Sequence, residues 1–85
     1  MGIKELYKLF KESTGVSTDS RKVTKDSIFF ALKGENFNGN QFATQALKDG
    51  ALYAVVDEEV EGPKERIVRV NDVLQTLQEL AAFHR

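Results

Sequence analysis

Apolar residues recur along this chain in two rhythms, and the switches between them lay out the predicted elements. Ile3, Leu6, Tyr7 and Phe10 fall at i, i+3, i+4 and i+7, one face of a helix, and Gly15 is placed to end it. Val16 to about Arg21 reads as a short extended segment, and Thr24 to Ser27 has turn composition. Ile28-Phe29-Phe30-Ala31-Leu32 is apolar without alternation, the pattern of a central parallel strand covered on both faces. Asn40 is placed to cap a helix over Gln41 to Lys48, whose apolar face is Phe42, Ala43, Ala46 and Leu47. Asp49-Gly50 stops that helix, because Gly takes the left-handed conformation without a Cβ clash.

Ala51 to Val56 is a second continuous apolar run and predicts a second buried strand. Strand, helix and strand with a short return form a βαβ unit, expected to be parallel and right-handed. Asp57 to Gly62, followed by Pro63, has the composition of a solvated acidic loop, and Ile67 to Val70 predicts a shorter strand. Arg69 points to an edge strand or to a strand end. A last helix from about Asp72 carries Val73, Leu74, Leu77, Leu80 and Ala81 on one stripe. The predicted fold class is α/β, a small open, mainly parallel sheet with flanking helices.

Length narrows this to one domain over residues 1–85, with a single modest core. The final helix runs to Arg85 with neither Gly nor Pro to stop it, so the chain is expected to be a piece of a longer protein. Twelve basic and 13 acidic side chains give a formal charge of −1, without a long block of either sign. A duplex nucleic-acid binder carries a basic excess or stripe, so that class is disfavoured, whereas a small anion held by one or two local cations is not. Cysteine is absent, which removes disulfides, thiolate catalysis and Cys-based zinc sites. No run approaches the length needed to span a bilayer, and the N-terminus lacks a signal-peptide layout. A cytoplasmic location is the expectation.

Candidate chemistry concentrates between Ser17 and Phe42. Thr18-Asp19-Ser20-Arg21 sets hydroxyls beside a guanidinium, which suits a phosphate: the hydroxyl donates one hydrogen bond and the arginine offers a charged planar fork. The same residues also make a plain Asp/Ser turn with solvated cations. Asn36, Asn38 and Asn40 alternate in a loop with Gly34 and Gly39. A carboxamide both donates and accepts, matching the imide edge of uracil, and Phe37 can stack on a base. A polar loop ending in a helix cap accounts for the same residues. Elsewhere, Glu58, Glu59 and Glu61 read as solvation, and His84 has no metal-ligand partners at helical spacing. There is no G-x-x-x-x-G-K-[ST] and no nucleophile–base pair, so no catalytic residue and no metal site are assigned.

The blocks Asp19-Ser20-Arg21-Lys22, Phe29-Phe30-Ala31-Leu32-Lys33-Gly34 and Phe37-Asn38-Gly39, with the terminal LQELAAFHR helix, resemble the N-terminal domain of the Mur ligases. The resemblance covers nearly the whole chain. These are the ATP-dependent amide ligases that build the peptide of bacterial peptidoglycan precursors. The resemblance implies a three-domain parent whose first domain holds the UDP part of UDP-N-acetylmuramoyl-tripeptide. The parent's central ATPase domain would bind ATP and Mg2+, and its C-terminal domain would bring the incoming amine. By position, Thr18, Ser20 and Arg21 match nucleotide and diphosphate contacts, and Glu35, Asn36 and Phe37 match the loop against the uracil. Many relatives carry Asp-Gly-His where this chain has Asn38-Gly39-Asn40, so the histidine's role is absent or taken by Asn40. The pattern is nearest to the members that add D-alanyl-D-alanine; those that add the third peptide residue share most of it. On this reading the 85 residues alone bind substrate weakly or not at all and form no bond.

Two other classes stand beside that reading. A stand-alone protein-interaction module would suit the small size and the uncapped last helix. A single-stranded RNA binder using Phe37 and Arg21 is opposed by the charge of −1.

Overall fold

Four parallel strands make one sheet in the spatial order β1-β2-β3-β4, the order in which the chain lays them down. The structure is a computed structural model and describes residues 3–19, 22–32 and 38–84, without the side chains of Ile3, Phe83 and His84. Along the chain the elements are α1 (Ile3–Glu12), β1 (Val16–Ser17), β2 (Ile28–Phe30), a 3₁₀ turn (Gly39–Phe42), α2 (Ala43–Lys48), β3 (Tyr53–Val56), a second 3₁₀ turn (Lys64–Arg66), β4 (Ile67–Arg69) and α3 (Val73–His84). Ile28 pairs with Val16 on one side and Tyr53 on the other, and Val55 pairs with Val68. The α/β class and the parallel sheet therefore match the prediction.

The unbroken apolar runs have the expected cause. Successive side chains of a strand point to opposite faces, and both faces of β2 and β3 are covered. Phe29, Ala54 and Val56 face α2, packing with Ala43, Ala46, Leu47 and Ala51. Ile28, Phe30 and Val55 face the other way, against Leu6 of α1 and Val73 and Leu80 of α3. Phe29 and Phe30 are each fully buried, one in each layer. Truncating either to alanine would cost about 3–5 kcal/mol from lost burial and the cavity left behind.

The helix ends follow local chemistry. Asp72 accepts from the Gln75 N–H through Oδ1 at 3.0 Å and so starts α3. Gly50, at φ +120°, ends α2, and the Ala51 N–H returns to the Ala46 carbonyl at 3.0 Å. A side chain there would be strained, and its Cβ would also lie 3.2 Å from Lys25 Cα.

Three details differ from the sequence reading. Residues 39–42 form a 3₁₀ turn, so α2 begins at Ala43 and Phe42 is left 42% exposed. In α3, Val73 and Leu80 are buried, but Leu74 and Ala81 face outward. The sheet beside α1 accepts a narrower stripe than the one predicted. The segment after β3 is also not simply solvated, because Asp57 and Glu58 are half-buried.

Candidate functional site at the carboxyl ends of the strands

In a parallel sheet every strand ends at the same edge, and open α/β sheets bind ligands there. Thr18 and Asp19 leave β1 at this edge, Leu32 and Asn38 flank the connection after β2, and Asp57 and Glu58 follow β3. Thr18 is exposed; beside it the Ser17 hydroxyl donates to the Asp19 carbonyl at 2.9 Å, and the Lys22 N–H donates to that carbonyl at 3.0 Å. Ser20, Arg21, Glu35, Asn36 and Phe37, all predicted to contact the ligand, lie outside the described residues.

Asn40 lies within them, in a different role from the predicted cap. The capping residue is Asn38, whose Oδ1 accepts the Asn40 N–H at 3.0 Å and the Asn40 Nδ2 at 2.8 Å. Asn40 itself is only 5% exposed and reaches across to the end of β3. Its Oδ1 accepts the Asp57 N–H at 3.1 Å, and its Nδ2 donates to Asp57 Oδ1 at 2.7 Å and Glu58 Oε2 at 3.1 Å. The Asn38 Nδ2 completes the set, donating to the same Glu58 oxygen at 2.7 Å. The orientation of both carboxamides is forced. Flipping Asn40 would set its oxygen against two carboxylates and its amine against an N–H donor.

Gly39 makes this crossing possible through space rather than unusual backbone angles. A Cβ there would lie 2.6 Å from the Leu32 oxygen and 2.8 Å from both the Ala31 carbonyl carbon and the Leu32 nitrogen. The Gly39 N–H donates to the Leu32 carbonyl at 2.8 Å, tying together the two ends of the connection after β2. Sequence reading noted the asparagines and glycines but missed Asp57 and Glu58 as partners. The available signal was their position, directly after the buried run Ala54 to Val56 of a central strand.

Beside the network lies an open cleft of about 320 Å³, with Gln41 and Thr44 on one wall and Glu58 to Glu61 on the other. Its carboxylates suit neutral polar groups and repel a diphosphate. No group of three or more His, Cys, Asp or Glu able to hold a metal exists among the described residues.

A family model described as "Mur ligase family, catalytic domain" matches residues 12–85. The chain belongs to the Mur ligase family. Among its Mur ligase relatives is the UDP-N-acetylmuramoyl-tripeptide–D-alanyl-D-alanine ligase of Bacillus subtilis, 41% identical over 69 residues, 79% of this chain and 15% of that protein. The UDP-N-acetylmuramoyl-L-alanyl-D-glutamate–2,6-diaminopimelate ligase of Rickettsia typhi is 35% identical over 77 residues, 91% of this chain and 15% of that one. Among solved structures, the MurF ligase of Thermotoga maritima in complex with ADP superposes with a TM-score of 0.73 at 30% identity, covering 78% of this chain and 15% of that one. A MurF structure from Acinetobacter baumannii gives 0.75 at 25% identity, covering 95% of this chain and 20% of that one. The chain thus spans about 15% of the length of the curated Mur ligase relatives it matches.

Proposed function

We propose that this chain is the uridine-nucleotide-binding domain of a Mur ligase that adds D-alanyl-D-alanine to UDP-N-acetylmuramoyl-tripeptide in peptidoglycan precursor synthesis. The observation that carries the reading is family membership, combined with a polar strand-end edge of the kind that holds ligands in parallel α/β sheets. The choice of final-step ligase is supported by 41% identity to the Bacillus subtilis protein against 35% to the Rickettsia typhi one, and by structural likeness to MurF ligases. The longer coverage of the Rickettsia typhi protein, 91% of the chain, favours the third-residue ligase as the second reading.

On this proposal Thr18, Ser20 and Arg21 hold the diphosphate, and Glu35, Asn36 and Phe37 lie against the uracil. Asn40 belongs to the same edge. The acid-lined cleft beside Glu58 disfavours the diphosphate, which supports assigning that group to the Thr18–Arg21 side. The family model's description names a catalytic domain, yet the sequence has no P-loop. ATP, Mg2+ and bond formation are therefore assigned to other domains of a longer, cytoplasmic parent, and the 85 residues alone should not ligate.

The decisive experiment assays the full-length protein with ATP, Mg2+, UDP-N-acetylmuramoyl-tripeptide and D-alanyl-D-alanine, measuring phosphate release. Turnover is expected. Turnover only with a single amino acid and the UDP-dipeptide would favour the second reading, and no turnover with either pair would overturn the proposal. The stand-alone module is eliminated if a Gly-rich P-loop follows in the same reading frame.

A further inference from the structure

Asn38, Asn40 and Glu58 spend their described hydrogen bonds on one another and on Asp57, not on the open edge. Asn40 is 5% exposed, and both ends of its carboxamide are engaged. Such a group contributes little to direct ligand contact, because each bond to a ligand would have to replace one already made. What the network does is fix position. It joins residues 17 to 20 apart in sequence, across the ends of two central strands. With the Gly39–Leu32 hydrogen bond, it sets where the chain re-enters the sheet edge before α2.

We propose that Asn38, Asn40 and Glu58 are positioning residues for the uridine-binding edge, and that substrate affinity depends on the Asn38–Glu58 link without either side chain touching the nucleotide. This rests on the uridine-binding reading above. The link has a defined polarity: Asn38 donates and the Glu58 carboxylate accepts, a charge-assisted bond of 2.7 Å. Asn38→Asp keeps the oxygen that caps the Asn40 N–H but sets a carboxylate against Glu58. Adding Glu58→Gln removes one of the two facing charges and supplies a donor, so the link between positions 38 and 58 is rebuilt with donor and acceptor exchanged. The Asn40 Nδ2 gives up its 3.1 Å bond to residue 58 but keeps its two shorter acceptors, on residue 38 and Asp57.

The test is steady-state kinetics of the full-length ligase with UDP-N-acetylmuramoyl-tripeptide, with a thermal melt for each variant. Asn38→Asp is expected to raise KM for the UDP substrate about tenfold, with kcat within about twofold, because the handle is held away from the reacting carboxylate. The double variant Asn38→Asp/Glu58→Gln is expected to recover most of that KM. A merely structural network would lower the melting temperature and leave KM unchanged, which overturns the proposal. So does a double variant no better than the single one. If Asn38→Asp does not fold, Glu58→Gln alone carries the test: it weakens the bond by removing its charge and should raise KM about threefold, an unchanged KM counting against the proposal. A wild-type protein that fails to turn over the UDP substrate would instead remove the functional reading itself.

Discussion

The two ends of the sheet are tied together by different chemistry. At the amino ends the links are mostly main chain: Thr14 N–H to the Asp26 carbonyl (3.0 Å), Asp26 N–H to that of Gly50 (2.7 Å), and Leu52 N–H to that of Ser27 (2.6 Å). At the carboxyl ends main-chain links such as Ala31 N–H to the Val55 carbonyl (2.9 Å) and Val70 N–H to that of Val56 (2.7 Å) are joined by a side-chain network, the carboxamides of Asn38 and Asn40 on the carboxylates of Asp57 and Glu58. Main-chain links accept almost any residue, so the amino end can hold the fold without specifying chemistry. Side-chain links exist only with these residue types. The carboxyl end is therefore where a substitution changes what the surface can do, and a ligand-binding edge is expected to sit where sequence is so specified.

The comparison predicts unequal responses to mutation. The largest is expected at Asn40→Asp, which keeps the shape but buries a carboxylate against two others and removes the donor they share. A loss of about 3 kcal/mol or more in urea unfolding is expected, since an unpaired buried charge is among the most costly changes a core can receive. A loss below about 1 kcal/mol would mean that the network does not hold the edge. Gly39→Ala comes next. Its Cβ would meet backbone atoms at 2.6 and 2.8 Å that cannot rotate aside, so the crossing must shift at a cost of about 2 kcal/mol. Hydrogen exchange at the Asp57 and Asn40 amides should accelerate in that variant, and unchanged protection would show that the turn can move independently.

Much of the fold was legible because burial leaves a direct trace in residue type. β2 and β3 lack alternation since each is covered by α2 on one face and by α1 and α3 on the other. Phe42 was misplaced because a 3₁₀ turn advances three residues per turn against 3.6 in an α-helix, which shifts the phase of any helical face drawn through it. The site was legible in its residue types but not in its pairing. Nothing local links Asn40 to Asp57, which meet only because β2 and β3 lie side by side with their ends in register. Reading Glu58 as solvation failed for the same reason.

Arg66 tests the amino end where it does rely on a side chain. Its guanidinium donates to the Leu52 carbonyl at 3.1 Å and to that of Ala51, clasping the turn between α2 and β3. Arg66 is only half-buried, so water can replace part of what Arg66→Ala removes, and a loss of about 1 kcal/mol is expected. For an 85-residue chain this corresponds to a melting temperature lower by roughly 4–8 °C. In the full-length protein, KM for the UDP substrate should not change, because the clasp lies at the opposite end of the sheet from the edge proposed to bind the nucleotide. A raised KM would show that the two ends are coupled through β3.

Thr14→Val should have the smallest effect, and it isolates the main-chain contribution. The Thr14 hydroxyl donates to the Lys25 carbonyl at 2.8 Å, but the residue is exposed, and its N–H bond to Asp26 survives any substitution other than proline. Valine keeps the branched shape and removes only the hydroxyl, whose carbonyl partner can turn to water. A change of about 0.5 kcal/mol or less is expected. A loss near that of Asn40→Asp would mean that the amino end depends on side-chain identity as strongly as the carboxyl end, and the contrast between them would disappear.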